Sequence, residues 1–169
     1  MNRRIFWLLL LFTCNIYANP APLGLPLNKA TLSDVEKQYK IIKKEKNYWE
    51  GYNYYIDITN VGLAGVKELL VICNDNNIIQ AVIFTANNNK FEEFYELLTE
   101  KYKPINEEPT RLTNKEVLFA VNDCTIILDA PHINFDMSLI YITNEFLTRF
   151  KDKQKIEKLL TKAKDKELL

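Results

Sequence analysis

The chain has a single histidine, His132. It sits in Asp129-Ala130-Pro131-His132-Ile133-Asn134-Phe135-Asp136, with a carboxylate on either side. An imidazole that titrates near neutrality, oriented by an acid, is the minimum equipment of a general base. A hydrolase-type enzyme using His132 with Asp129 or Asp136 is therefore one reading. The preferred one is a loop histidine bonded to backbone groups. One histidine excludes a multi-histidine metal centre. The only serines are Ser33 and Ser138, and no Gly-x-Ser-x-Gly elbow is present. The four glycines, Gly24, Gly51, Gly62 and Gly65, form no phosphate-binding loop. Asn74-Asp75-Asn76-Asn77 resembles part of a calcium loop but lacks its glycine and its terminal glutamate, and is read as a hairpin turn. No catalytic residue, metal ligand or cofactor is assigned from these residues.

The run Tyr48-Trp49-Glu50-Gly51-Tyr52-Asn53-Tyr54-Tyr55 offers recognition instead of catalysis. On a strand alternate rings face opposite sides, so the whole run cannot be core. Outward rings, with Trp49, Tyr52 and Tyr54 as candidates, would supply contact area to a protein, glycan or peptide at low entropic cost. The plainer alternative is that aromatic residues simply suit a strand and cover a sheet face. Cys73 and Cys124 have two readings as well. In an oxidising compartment they could form a disulfide, or each could be a separately buried thiol.

The elements that must position these residues follow from periodicity. Thr31 is an N-cap and Asp34 a first-turn acid for a helix carrying Leu32, Val35 and Tyr39, expected to end in the lysine-rich stretch 43–46. Residues 48–59, 66–73 and 78–85 alternate as strands, the last two joined by the Asn-rich turn. Phe91, Phe94, Tyr95, Leu98 and Tyr102 lie on one face of an amphipathic helix that Asn88 or Asn89 can cap and Pro104 ends. Residues 103–114 read as a loop. Strands at 116–121 and 125–128 flank Asn122-Asp123, and 137–143 is a further strand. A closing helix follows, capped by Asn144, with Phe146, Leu147 and Phe150 buried first and Ile156, Leu159 and Leu160 continuing the stripe. Each half reads as three strands and a helix, a weak hint of duplication. Hairpins joined by short turns predict an α+β fold: an antiparallel sheet of about six strands, with helices packed on one face.

The amino terminus sets the compartment. Met1-Asn2-Arg3-Arg4 is positive, Ile5 to Phe12 is apolar, and Thr13 to Ala18 is more polar and ends in a small residue. This is the pattern of a signal peptide cleaved after Ala18, and the apolar run is too short to span a bilayer. A rival processing site is the lipobox-like Leu11-Phe12-Thr13-Cys14, which would place a lipid on Cys14. Thr13 departs from the small residue preferred there. Domain organisation is then signal 1–18, extended Pro-rich arm 19–30, one domain 31–150 and a tail 151–169 with seven lysines against four acids. Loss of Arg3 and Arg4 leaves 20 basic against 22 acidic residues, which provides no electrostatic footprint for nucleic acid.

Gly24-Leu25-Pro26-Leu27-Asn28-Lys29-Ala30-Thr31-Leu32-Ser33-Asp34-Val35 resembles a stretch of small exported bacterial domains: the SmpA/OmlA-like outer-membrane assembly lipoproteins and domains related to the β-lactamase inhibitor protein. There too a Thr caps a helix with Val four positions on. The resemblance spans a dozen residues and implies protein–protein interaction without catalysis. It transfers no functional residue. The expectation is thus an exported, periplasmic or secreted, non-enzymatic interaction domain, such as an inhibitor or envelope-assembly accessory, whose partner is an envelope protein. The alternative is binding of a small ligand in an apolar pocket between sheet and helices. Amino-terminal sequencing of the exported protein is expected to begin Asn19-Pro20-Ala21. A lipid-modified start at Cys14 would overturn that processing.

Overall fold

The structure is a computed structural model that describes residues 18–47, 49–105 and 115–167, with the side chains of the last helix described as far as 155. Residues 1–17, with Cys14 and most of the expected signal, Tyr48, residues 106–114, and the side chains of Ile156, Leu159 and Leu160 lie outside the described residues. The elements are α1 (Leu32–Gln38), β1 (Ile41–Lys46), β2 (Tyr52–Ile56), β3 (Val66–Cys73), β4 (Ile79–Asn87), α2 (Phe91–Thr99), β5 (Lys115–Val121), β6 (Cys124–Ala130), β7 (Asp136–Thr143) and α3 (Asn144–Glu167). All strands join one antiparallel sheet in the order β1-β2-β3-β4-β7-β6-β5. The α+β class expected from the hairpins is the class found.

The seventh strand is β1, formed where a helix end was expected. Thr31 donates from its backbone N–H and hydroxyl to the Asp34 carboxylate at 3.0 and 2.9 Å, closing the first turn of α1. These bonds hold the Asp34 carboxyl down at about 2. The helix stops at Gln38, and the lysines continue as an exposed edge strand paired with β2. Lys44 places its ammonium 3.9 Å from the Tyr52 ring centre and Lys43 lies 4.8 Å from that of Tyr55. Lysines keep an open sheet edge from recruiting another strand, so they suit β1 better than their helix propensity suggests.

One face of the sheet carries the main core. Leu69, Val71, Val82, Phe84, Leu139, Leu128, Ile126, Val117 and Phe119 stand in register across β3 to β5. Leu25, Leu27, Ala30 and Val35 of the arm and α1 cover them on one side, and Phe91, Phe94 and Leu98 of α2 on the other. The arm is fixed by backbone bonds to the start of β4, Asn28 N–H to Ile79 O and Ile79 N–H to Ala30 O, both 2.9 Å. On the opposite face Ile72, Ala81 and Ile142 are buried under Phe146 and Leu147 of α3. The expectation that the helices share one face is thus corrected, because α3 packs on the reverse side from α2. The hint of duplication goes with it. A twofold axis through the β4–β7 pair and normal to the sheet would keep both helices on the same face.

The turns follow their residues closely. Asn77 (φ 58°) and Asn122 (φ 52°) supply the left-handed positions of their two hairpins. Asn144 does not cap α3. The hydroxyl of Thr143 accepts the Phe146 N–H at 3.3 Å, while Asn144 Oδ1 accepts from Thr125. Nor do Asn88 and Asn89 cap α2 directly, since they form a 3-10 turn ahead of it. Gly51 is required by close approach: a Cβ there would lie 2.0 Å from the Cys73 carbonyl oxygen. Gly51→Ala is expected to cost about 3 kcal/mol by displacing the β1–β2 turn from β3. Urea denaturation would measure it, and a loss under 1 kcal/mol would mean the turn yields freely.

Candidate functional site

The aromatic run does not form one surface. Asn47, buried between β1 and β2, organises the turn: its Oδ1 accepts the N–H groups of Trp49 (2.9 Å) and Gly51 (3.0 Å), and its amide donates to Cys73 O (3.2 Å). Trp49 then packs against α3, with ring centroids 5.0 Å from Phe146 and 5.7 Å from Phe150, and Lys153 above it. Tyr54 points into the main core and is 2% exposed, and Tyr52 lies half-buried beside it, 6.2 Å between ring centres. Trp49 thus fastens α3 to the sheet, while Tyr52 and Tyr54 belong to the other face.

Cys73 and Cys124 are free and fully buried. Cys73 ends β3 and Cys124 begins β6, at the same end of the sheet, but β4 and β7 intervene in the strand order. Three strand spacings put them roughly 14 Å apart, against the ~7 Å limit between Cα atoms of a disulfide. The disulfide reading is therefore corrected, and the separately buried thiols are what the fold contains. Burial pushes the Cys73 thiol up to about 12. Burial and then the neighbouring Asp123 push Cys124 to about 11.

His132 is exposed in the loop between β6 and β7 and lines a shallow cleft of about 590 Å³ with Asn87, Asn88, Asn89, Ile133, Asn134 and Phe135. Neither expected carboxylate lines that cleft. Asp136 is paired with Lys67, and Asp129 stands beside Glu116, where burial and then that like charge raise its carboxyl. Among the described residues no group of three or more His, Cys, Asp and Glu side chains could hold a metal, and no helix is long and apolar enough to cross a membrane.

The same loop displays the most exposed large apolar side chains of the described residues, Ile133 at 95% and Phe135 at 89%. They are held there by an amide brace. Asn88 donates from its backbone N–H to Phe135 O (2.9 Å) and from its side chain to Asn134 O (2.9 Å) and Pro131 O (3.4 Å). Asn134 N–H closes the turn onto Pro131 O at 3.1 Å. The loop is thus pre-ordered while its apolar tips face solvent. Two apolar residues between Pro131 and Asp136 were the only sequence signal for this site, and the periodicity of the strands on either side conceals it.

Comparison with protein-family models, with curated proteins and with solved structures finds no match. The two thiols supply a test of the geometry. A thiol whose folded value is raised stabilises the fold below its unfolded value, near 8.5, and that contribution is lost as pH rises toward 11 to 12. Folding free energy is expected to fall across this window, less steeply in Cys73→Ala. Both thiols should resist a maleimide until urea unfolds the chain. Rapid labelling of the native protein would contradict their burial.

Proposed function

We propose that this chain is an exported, non-enzymatic interaction domain that docks on an envelope protein through the 131–135 loop. The observation that carries the reading is the pairing of near-complete exposure at Ile133 and Phe135 with the Asn88 brace behind them. Exposed apolar side chains on an ordered loop lose little further entropy on binding, and an aromatic ring is a favoured anchor in a partner's pocket. The partner surface that fits is an apolar pocket with an amide-accepting rim, since Asn87, Asn89 and Asn134 surround the two tips. Pre-organised loops of this kind are how inhibitors present themselves to their targets. That is the same class of activity as the exported domains the arm and α1 resemble. The signal-like amino terminus supports the envelope as the place to look.

The test replaces Phe135 with a photoreactive phenylalanine analogue in the full chain, expressed in cells that export it. One discrete protein adduct is expected, reduced at least fivefold by Ile133→Ser. Asn88→Ala should weaken it severalfold with the circular dichroism spectrum unchanged. The analogue placed at Ile42, which is 62% exposed on β1, should give none. No adduct at 135, adducts with lipid alone, or the same adducts from position 42 would each overturn the reading.

A further inference from the structure

A second cavity lies on the main-core side of the sheet, closed by the arm, α2 and the β7 strand. Its volume is about 280 Å³. Phe84, Phe94, Leu98 and Leu139 line its floor, Pro22 closes it from the arm, and Leu97, 49% exposed, stands at its mouth. Three polar side chains share this otherwise apolar lining: Lys101, Tyr102 and Tyr141.

Tyr102 packs edge-on against Phe119 and Tyr141 edge-on against Phe84, so each ring is seated in the core. Neither hydroxyl makes a hydrogen bond to any described residue, and Lys101 forms no ion pair among them. Among the described residues the buried side-chain atoms without a partner are Asn53 Oδ1 and the Tyr54 hydroxyl, so neither phenol of this lining is a buried orphan, and what each offers the cavity is a hydroxyl that a phenylalanine would lack. Burial raises both phenols, so they remain protonated donors. Two hydroxyl donors and one ammonium, beside an apolar hollow, are complementary to a single anionic head joined to a compact apolar body.

We infer that this cavity binds a small anionic amphiphile, a carboxylate carried on an apolar body of roughly eight carbons. The head would be held by Tyr102, Tyr141 and Lys101, and the body would lie against Phe94, Leu98 and Leu139. At ~30 Å³ per water-sized group the hollow takes about nine such groups, and octanoate, with about ten non-hydrogen atoms, leaves only its head at the mouth. The site lies on α2 and the core face, away from the 131–135 loop, and stands whether or not that loop docks on a protein.

Titration calorimetry of the mature protein with octanoate, below its micellar concentration, is the direct test. Octylammonium, with the same body and the opposite charge, is the control. Octanoate is expected to bind saturably at one site, at least tenfold more tightly than octylammonium. Leu97→Trp, which fills the mouth from an already exposed position, should abolish the binding. Tyr141→Phe should weaken it at least fivefold with the fold unchanged by circular dichroism. In the unaltered protein, octanoate should shift the amide resonances of α2 and β7 first. No saturable binding, equal affinity for both probes, full binding by Leu97→Trp, or shifts confined to other elements would overturn the assignment. Binding that Tyr141→Phe leaves intact would overturn the role given to the phenols.

Discussion

The antiparallel pairing of β4 with β7 is the constraint on which the rest of the structure depends. Ala81 to Asn87 meet Ile142 to Asp136 without a break in register, and the sheet is built outward from this central pair, through β3 on one side and β6 on the other. Val82, Phe84 and Ala86 face the main core with Tyr141, Leu139 and Met137 directly beside them, while Ala81 and Ile142 face the reverse side under α3. A slip of one residue would turn each of these side chains to the wrong face, so the two-sided burial fixes the register strongly. It also delivers the ends of both strands where they are needed. Asn87 and Asp136 meet at one end, which brings Asn88 under the 131–135 loop. Thr143 emerges at the other end, with its hydroxyl positioned to open α3.

Amide side chains do much of the work that this glycine-poor chain cannot assign to glycine. Asn47, Asn74 and Asn88 each hold a turn by bonding several backbone groups at once. Gln80 and Thr143 bond side chain to side chain at 3.1 Å where β4 lies beside the start of α3. A carboxamide offers both a donor and an acceptor without charge, so it can replace missing backbone partners inside a turn at little desolvation cost. The brace beneath Ile133 and Phe135 is one instance of this wider habit.

The sheet is covered unequally on its two faces, and the two recognition features follow from that. The arm, α1 and α2 roof one face but meet incompletely, which leaves the hollow beside Tyr141. On the reverse face the described side chains of α3, Phe146 and Leu147, pack with Ile72, Ala81 and Ile142. The next row, Leu70, Ile83, Ile140, Ile127 and Leu118, is half-buried, and the first four of these pack against that cluster. Trp49 is spent on anchoring α3 over this face, which is why the most conspicuous aromatic cluster of the sequence is structural in this fold.

The sequence by itself determined the local elements. Alternation marked six of the seven strands, the 3.6-residue spacing marked α2, and Asn at the turns marked both tight hairpins, because each of these depends on neighbours a few residues away. The lysine run of β1 misled, since the cation–aromatic contacts that make it a strand come from β2. Tertiary structure alone decided the rest. Strand order set the distance between Cys73 and Cys124, the face chosen by α3 decided what Trp49 touches, and the bonds from Asn88 across 43 to 47 positions decided that Ile133 and Phe135 stay outside. Those are contacts between residues far apart in the chain, and no local pattern encodes which distant partner a side chain will meet.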